Sequence, residues 1–476
     1  MITFLICIAL LVASYFTYGK YLERTFGADK NRAVPSKTHF DGVDYVPMPK
    51  WKTFLIQLLN IAGLGPIFGA VLGAAYGPVA IIWITLGGIF FGAAHDYLSG
   101  MISVENKGLS YPEIVGKFLG NNFKQGLRVF TVILMVLVGA VFLVGPAGIL
   151  DGLTPGISKT AWVWIILAYY VIATLLPIDK IIGKIYPLFG AALLIMAAGL
   201  FFVICFGDYT VPELTGGTLV NMQPDTAAFP IFPTLFITIA CGALSGFHAT
   251  QSPLMARCIT NEMQGRGVFF GAMIAESDIA MIWAAIAMAF FGGVDLLNKE
   301  LAAHGSDAAW AVDVISETTL GRVGGILALL GGVAAPISTG DTAFRSARLI
   351  VADFLGMEQR SFLKRLYICI PLFIVGFVIT QLEFGVVWRY FAWANQTLAV
   401  ATLWAITVYL FRRRKNIYIS LVPAVFMTFI CSGYLFTSPQ MIGLPRPLGM
   451  TLAAVTALVT LVYFIVLFRK NERIGA

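Results

Sequence analysis

Long apolar runs separated by short polar stretches occupy almost the whole chain. Runs of about 17 to 25 apolar residues are long enough to cross the hydrocarbon core of a bilayer as helices. Thirteen such runs occur, so the pattern predicts an all-α polytopic membrane protein with about 13 transmembrane helices. The predicted spans are residues 2–20, 51–76, 78–100, 126–150, 160–177, 185–206, 233–256, 266–292, 321–345, 365–384, 388–411, 417–436 and 446–468.

The positions of lysine and arginine test this count and give an orientation. Cytoplasmic loops of membrane proteins carry an excess of these two residues. If the N-terminus lies outside and the spans alternate strictly, 27 of the 32 lysines and arginines fall in inner segments. The asymmetry predicts a multi-pass protein with its N-terminus outside and its C-terminus in the cytoplasm. Residues 306–318, in an acidic outer stretch, fit either a surface helix that acts as a lid or a solvated connector.

The second and seventh apolar runs are interrupted at their centres. The second contains "NIAGLGPIFGA" at residues 60–70, and the seventh contains "CGALSGFHATQSP" at residues 241–253. Glycine and proline leave backbone N–H and C=O groups unpaired, and each such group costs several kcal/mol against lipid. Breaks of this kind are tolerated where they line a polar cavity. Both spans are therefore predicted to be broken helices at a binding site.

The two interrupted spans run in opposite directions and lie five spans apart. This arrangement is typical of transporters built from two inverted repeats of five helices. We predict such a 5+5 core with one extra N-terminal helix and two extra C-terminal helices. The predicted division is 1–50 for the N-terminal helix and a cytoplasmic loop, 51–206 for the first repeat, 207–411 for the second repeat, and 412–476 for the C-terminal helices and tail.

The breaks are predicted to bind the substrate. Half-helix N-termini carry partial positive charge, and none of the predicted spans has a lysine or arginine at its middle. Backbone amides and neutral side chains would therefore hold a substrate carboxylate, which favours a small, weakly charged solute. Amides that only pack helices are the alternative for the eleventh span. The predicted substrate-binding residues are Asn60, Gly63, Gly65, Ser245, Gly246, His248 and Asn395.

A cation site is predicted beside the first break. The ninth span ends "AAPISTGD", in which Ala335, Ser338 and Thr339 share one helical face. A carbonyl and two hydroxyls are hard oxygen ligands for a small cation, and the carbonyl of Ala62 in the first broken span would complete them. The alternative is that these hydroxyls bond only to their own backbone. A bound Na⁺ is the only cofactor that the pattern suggests.

Ionisable side chains within the apolar spans are candidates for proton coupling. Glu276 and Asp278 lie near the middle of the eighth span, and His95 and Asp96 lie near the inner end of the third. Charges in a bilayer are costly and usually functional, and proton relays are built from such groups. Polar bridges between helices and a helix-end hydrogen-bond pair are the structural alternatives.

Composition supports a membrane protein and excludes two other classes. The chain is 58% hydrophobic and 12% charged, with a mean hydropathy of +0.84, which is too apolar for a soluble protein of 476 residues. The net charge of +7 does not indicate nucleic acid, because the basic residues lie between apolar runs. The six cysteines have no CxxC spacing, so they are predicted to be small buried hydrophobic residues, with no metal beyond the suggested sodium.

Several long blocks of the sequence resemble the carbon starvation protein A family. They are "NIAGLGPIFGAVLGAAYGPVAIIWITLGGIFFGAAHDYLSGM" at 60–101, "PEIVGKFLG" at 112–120, "GFHATQSPLMARCITNE" at 246–262 and "FAWANQTLA" at 391–399. The resemblance covers roughly residues 50–410. The chain is shorter than the long members of that family, so it is expected to lack their extra C-terminal spans.

The resemblance implies a secondary transporter of the amino acid–polyamine–organocation superfamily in the bacterial inner membrane. Its fold would be similar to that of the leucine transporter, and members are associated with proton-coupled uptake of peptides or pyruvate during nutrient limitation. The arrangement of Ala335, Ser338 and Thr339 also resembles the second sodium site of sodium-coupled relatives in the superfamily.

The sequence therefore predicts a transporter that imports a small carboxylate or short peptide together with H⁺ or Na⁺. Its partners would be a solute such as pyruvate, an amino acid or a short peptide, the coupling cation and the lipid bilayer. The alternative is a channel or a membrane nutrient sensor without coupled transport. An intramembrane protease is disfavoured, because residues 243–246 do not read GxSG and residues 338–341 do not read GxGD.

Overall fold

The computed structural model describes residues 1–154, 156–175, 182–306, 308–329, 333–382 and 384–474, and within these ranges all regular elements are helices. The first half of the chain contains two π-helical segments, Gly65–Gly69 and Gly87–Ala93. Its α-helices are α1 Ile2–Phe16, α2 Tyr18–Phe26, α3 Pro35–Thr38, α4 Lys50–Ile61, α5 Ala70–Ala74, α6 Val79–Leu86, α7 Ala94–Glu105, α8 Tyr111–Leu119, α9 Asn121–Leu153, α10 Lys159–Leu175 and α11 Ile182–Phe206.

The second half contains π-helical segments at Ile231–Leu235 and Arg266–Phe270 and a short 3₁₀ turn at Glu262–Gln264. Its α-helices are α12 Phe236–Thr238, α13 Phe247–Ala256, α14 Gly271–Phe290, α15 Val294–Ala303, α16 Ala308–Leu329, α17 Ala335–Leu355, α18 Phe362–Ile379, α19 Phe384–Arg412, α20 Tyr418–Thr437 and α21 Arg446–Ile474.

Among the described residues, nine helices are long and apolar enough to cross a membrane. A tenth span is formed by α4 and the segment Gly65–Ala74, which meet at a bend of 57°. Three of the predicted spans are not among these ten. The fifth corresponds to a shorter apolar helix, Lys159–Thr174, and the seventh is split. The ninth includes residues 330–332, which lie outside the described part. The protein is therefore an all-helical, multi-pass membrane protein, and the total of thirteen spans stays a prediction.

The first predicted break is confirmed. Helix α4 ends at Ile61, and Ala62 leaves the helical region with φ −83° and ψ 61°. The chain then passes through Gly63 and Leu64 before a π-helical turn begins at Gly65 with Pro66 in its first turn. Proline has no N–H to donate, so it is well tolerated at the start of a new helical segment.

The second predicted break is also confirmed. Helix α12 is a single turn that ends at Thr238, and α13 does not begin until Phe247. Gly242 within the interval has φ +89°, a left-handed conformation that glycine adopts without a steric penalty. Eight residues of irregular backbone thus lie between the two helical pieces of this span.

The helix that carries the end of the ninth predicted span continues past residue 345. Most of the motif "AAPISTGD" lies in the first turns of helix α17, which runs from Ala335 to Leu355, and the end of the span in the membrane stays a prediction. Asp341, Arg345 and Arg348 made this stretch look like the end of a span. All three are buried, and their pairing with other polar groups allows the helix to continue.

Residues 308–318 are helical, which agrees with the first of the two alternatives, a helix. Helix α16 begins at Ala308, and Ala311 and Ile315 on it are buried. It packs mainly against α11. Whether it acts as a lid stays a prediction.

The helices pack so that both broken spans lie inside the bundle. Helix α4 contacts α11, α13 and α14, while α13 packs against α7. Helix α17 has its most extensive contact with α9. The N-terminal helix α1 lies against α14, and the C-terminal helices α20 and α21 pack together beside α19.

Candidate functional site

The two breaks touch each other at Gly65 and Cys241. A Cβ atom added to Gly65 would lie 2.3 Å from Sγ of Cys241, so only glycine fits there. Slightly further along, a Cβ on Gly69 would lie 2.9 Å from the carbonyl oxygen of Thr238. The interrupted parts of the second and seventh spans are therefore packed against each other, as a shared site requires.

Four ionisable side chains form a buried chain beside the breaks. Nδ1 of His95 lies 2.7 Å from Oδ1 of Asp96, and Nδ1 of His248 lies 2.8 Å from Oδ2 of the same carboxylate. Nε2 of His248 then faces Oε2 of Glu276 at 3.3 Å. All four side chains are fully buried, and they come from α7, α13 and α14. We call these residues, His95, Asp96, His248 and Glu276, the charged chain.

The charged chain is incompletely hydrogen-bonded at both ends. Nε2 of His95, Nε2 of His248 and both carboxylate oxygens of Glu276 have no hydrogen-bond partner among the described residues. The 3.3 Å approach of His248 to Glu276 lacks hydrogen-bond geometry. Because unpaired polar groups are costly in a protein interior, such an arrangement indicates a place where a proton or a ligand binds.

Asp278 does not join the charged chain. It lies two residues beyond Glu276 on α14, is half-buried, and lines a separate cavity of about 640 Å³. Tyr15, Lys50 and Trp51 also line this cavity, which lies between α1, α4 and α14. Sequence spacing grouped Asp278 with Glu276, but the two side chains point to different surroundings.

Asn60 is the predicted substrate-binding side chain with the most unused hydrogen-bonding capacity. It is fully buried at the end of α4, and neither its Oδ1 nor its Nδ2 has a partner among the described residues. Gln57, one turn earlier, has the same property. Two unpartnered amides therefore precede the first break.

Three further predicted substrate-binding residues, Ser245, Gly246 and Asn395, form a contact between the second break and α19. Oδ1 of Asn395 accepts hydrogen bonds from the backbone N–H of Phe247 at 2.6 Å and from Oγ of Ser245 at 3.2 Å. Gly246 packs so closely on α19 that a Cβ would lie 2.2 Å from the backbone nitrogen of Ala399. Asn395 thus caps the start of α13 and keeps its Nδ2 without a partner in the described structure.

Of the predicted cation ligands, Thr339 reaches the last turn of α4 and Gly63 in the first break. Oγ1 of Thr339 donates to the carbonyl oxygen of Leu59 at 3.1 Å, and it also lies 3.0 Å from that of Ala335. Oγ of Ser338 donates to Ala335 at 2.6 Å. Gly63 packs against the Thr339 hydroxyl, and Ala62 is the residue at which α4 ends. The contacts fit both alternatives given by the sequence. The hydroxyls bond to backbone carbonyls, and the same oxygen atoms lie close together beside the first break.

A second buried charge cluster was not foreseen from the sequence. Asp44, in the loop before α4, accepts a hydrogen bond from Nη1 of Arg345 at 3.0 Å and from Nη2 of Arg348 at 3.1 Å. Burial opposes ionisation of Asp44, but the charges of Arg348 and Arg345 outweigh it and lower the pKa of this carboxyl to about 2. We call these three residues the inner cluster. Asp44 lies 301 and 304 positions from the two arginines in sequence, and no local pattern links it to them.

Comparison with known proteins gives consistent results. The family model "Carbon starvation protein CstA" matches residues 1–154 and 151–327. An "Uncharacterized membrane protein" of Haemophilus influenzae is 42% identical over 64% of this chain and 95% of its own length. The "Peptide transporter CstA" of Campylobacter jejuni is 30% identical over 65% of this chain and 53% of its own length. The "Pyruvate/proton symporter BtsT" of Escherichia coli is 25% identical over 92% of this chain and 82% of its own length.

A solved structure has the same fold. The structure of MhsT in complex with L-phenylalanine superimposes with a TM-score of 0.52 and 14% identity, covering 85% of this chain and 98% of that chain. The likeness confirms the predicted leucine-transporter-type fold. That fold and the paired broken helices define a multi-pass helical membrane protein of the leucine-transporter fold type. Within that class, the chain belongs to the carbon starvation protein CstA family.

Proposed function

We propose that the protein imports a small carboxylate such as pyruvate, or a short peptide, together with a coupling cation. The observation that carries the proposal is the buried charged chain with unpartnered atoms at the point where two broken spans meet. Relatives named as peptide transporters and as a pyruvate/proton symporter support the two substrate classes. We place the protein in the bacterial inner membrane with its N-terminus outside.

The N-terminus and the ion pairs support that orientation. The N-terminal ammonium group lies 2.5 Å from Oε1 of Glu213, and both belong to segments predicted to be outside. Arg32 pairs with Glu262, and both belong to segments predicted to be inside. Ion pairs within each predicted side are what a single consistent orientation requires.

In the proposed site, the substrate lies against the two breaks. Its carboxylate would face the N–H groups around Gly63 and Gly65 and the amide of Asn60, because half-helix N-termini attract anions. The substrate would replace the missing hydrogen bonds of Asn60. Ser245, Gly246 and Asn395 would shape the opposite wall, since Asn395 holds the start of α13.

The coupling proton is proposed to reside on the charged chain. Glu276 carries no hydrogen bond in the described structure and faces His248, which Asp96 holds in a fixed orientation. A proton at Glu276 or His248 changes the charge between the breaks, and this charge change couples proton binding to substrate binding. His95 extends the chain along α7, while Asp278 takes no part in this proposal.

A second cation is proposed at the predicted Na⁺ site. Thr339, Ser338 and the carbonyls of Ala335, Leu59 and Ala62 provide hard oxygen atoms where α17 meets the first break. Binding a cation there would hold α17 against α4 and favour one orientation of the first broken span. Na⁺ would then act alongside or instead of the proton.

The inner cluster is proposed to close the cytoplasmic side. Asp44 precedes α4 by six residues, and its two arginines lie on α17, the helix that carries the cation site. For the solute to leave inward, the first half of the broken span must move away from α17. The ion pairs of Asp44 would have to separate during that movement.

Uptake into proteoliposomes tests the proposal directly. Labelled pyruvate, alanine and a dipeptide are each offered under an imposed H⁺ gradient, an imposed Na⁺ gradient, or neither. We expect accumulation of pyruvate or the dipeptide above the outside concentration only when a gradient is imposed. Gradient-independent equilibration at high flux would indicate a channel. Tight binding without translocation would indicate a sensor, and either result would refute the proposal.

A further inference from the structure

Three potential metal ligands converge at the contact between the two breaks. One ligand atom from each of Cys241, His248 and Glu276 lies within 4.8 Å of the other two, and all three side chains are buried. Cys241 lies in the second break, His248 on α13 and Glu276 on α14. This group was not predicted from the sequence, because Cys241 lacks the paired CxxC spacing that normally marks a metal site.

The unused hydrogen-bonding capacity of the group points towards a ligand. Nε2 of His248 and both oxygens of Glu276 have no hydrogen-bond partner among the described residues, although these side chains are fully buried. The other nitrogen of His248, Nδ1, is held by Asp96 at 2.8 Å. A carboxylate that holds the far nitrogen of a histidine is the usual outer-shell arrangement of metal-binding imidazoles.

The distances fit a small divalent ion after minor adjustment. Bonds from zinc to nitrogen, oxygen and sulfur of about 2.0 to 2.3 Å place neighbouring tetrahedral ligands roughly 3.3 to 3.8 Å apart. The separation of 3.3 Å between His248 and Glu276 already lies in that range. Since the ligand atoms lie within 4.8 Å of one another, Cys241 has to approach by about an ångström on metal binding.

We propose that Cys241, His248 and Glu276 bind a divalent transition-metal ion, with Zn²⁺ as the preferred biological ion. A thiolate, an imidazole and a carboxylate together suit Zn²⁺ better than the hard cations Mg²⁺ or Ca²⁺. The thiolate and the carboxylate neutralise the two charges of the ion. Three protein ligands leave a fourth position for water.

Metal binding at this place would block transport, an expectation that rests on the proposed function. The ion would join the second break to α14 beside Gly65, and it would occupy the atoms of His248 and Glu276 that carry the proton. Asp96 and His95 on α7 are the other ionisable groups of the surroundings. Zn²⁺ would therefore inhibit uptake by holding both broken spans in one arrangement.

Metal titration of the purified protein tests the site without transport. The affinity tag is removed, and the protein competes for Zn²⁺ with a fluorescent chelator. We expect one ion per chain, and we expect Cys241→Ser and Glu276→Gln each to weaken binding by at least ~10-fold, as loss of even an outer-shell partner does. Cys258→Ser and Cys431→Ser are matched controls at other buried cysteines and should bind as the wild type does.

A spectroscopic measurement covers the case in which a variant folds poorly. Cd²⁺ added to the wild type should produce a thiolate-to-metal charge-transfer absorption that saturates at one equivalent and is absent in Cys241→Ser. Absence of this band in the wild type, or equal Zn²⁺ binding by wild type and Cys241→Ser, would overturn the metal site. If the metal binds as expected but no solute is accumulated in proteoliposomes, the metal site stands and the proposed transport function fails.

Discussion

The inner cluster and the charged chain are both buried groups of ionisable residues, yet their carboxylates are hydrogen-bonded to different extents. In the inner cluster, both carboxylate oxygens of Asp44 accept hydrogen bonds from arginine. In the charged chain, Glu276 accepts none from the described residues. Carboxylate oxygens that accept hydrogen bonds from arginine stabilise one arrangement of helices, whereas carboxylate oxygens without a hydrogen bond, as on Glu276, are ready to bind a proton or an ion. This difference supports the proposals that the inner cluster closes the cytoplasmic side and that the charged chain couples proton binding to substrate binding.

The two groups should also respond differently to pH. The folded-state pKa of Asp44 is about 2, below its ordinary value of 3.8, so its ionised form stabilises the fold. This contribution is complete above about pH 4 and is lost as the pH falls through about 2. The inner cluster is therefore insensitive to changes between pH 5 and 8. Any effect of physiological pH on transport must arise elsewhere.

The largest effect is expected from breaking the ion pairs of the inner cluster. Asp44→Asn leaves two buried arginines without their carboxylate, and removing one partner of a buried ion pair typically costs about 3–5 kcal/mol. We expect the free energy of unfolding in mild detergent to fall by about that amount. Reaction of the nearby buried Cys258 thiol with a maleimide should become faster as the inner side opens. Glu358→Gln, at an exposed ion pair with Arg360, should change neither measurement.

The second effect concerns the contact between the breaks. Gly65→Val should reduce uptake more than about 100-fold, because an error of about 1 Å in a site costs this much and the new Cβ would lie 2.3 Å from Sγ of Cys241. Gly126→Val, at a helical glycine with open space around it, is the matched control. Wild-type uptake by a monodisperse Gly65→Val protein would show that the breaks do not form the site.

The third effect separates proton coupling from solute binding in the charged chain. A gradient of one pH unit supplies about 1.4 kcal/mol per proton, which supports about tenfold accumulation of solute. Glu276→Gln should abolish this accumulation while solute exchange across the membrane continues. Its stability should fall by less than that of Asp44→Asn, because the substitution removes the 3.3 Å contact with His248 but no hydrogen bond of the carboxylate. Asp278→Asn should keep the accumulation, and the reverse result would move the proton site to Asp278.

The smallest effect is expected at the proposed Na⁺ site. Thr339→Ala removes one hydroxyl contact worth about 1 kcal/mol, so the cation concentration for half-maximal uptake should rise about fivefold. Thr342→Ala is the matched control, since its hydroxyl bonds only to the backbone of α17. An unchanged cation response in Thr339→Ala would assign the cation to another site.

The sequence predicted the broken spans because their cause is local. The first break clusters three glycines and Pro66 within one apolar run, and the second contains Gly242 and Gly246, so the interruption of both helices can be predicted from neighbouring residues alone. The opposite directions of the two spans followed from counting helices. The hydroxyls of Ser338 and Thr339 were predicted to reach the first break, and Thr339 does so.

Contacts between segments that are distant in the chain could not be predicted from the sequence. His248 and Asp96 are 152 positions apart, and only the packing of α13 on α7 brings them together. The same holds for Asp44 and Arg345. Their charges suggest exposed loop residues, but both are buried because they pair with each other. Asp278 illustrates the opposite problem, since two neighbouring carboxylates on one helix face different surroundings.

The central claim is that solute and coupling ion bind where the two broken spans meet. An electron cryo-microscopy structure of the protein in lipid nanodiscs, prepared with its transported solute, measures this directly. The account predicts solute density in contact with Asn60 and the backbone near Gly65, with both spans interrupted. Density bound elsewhere, or a continuous helix through either break, would contradict it.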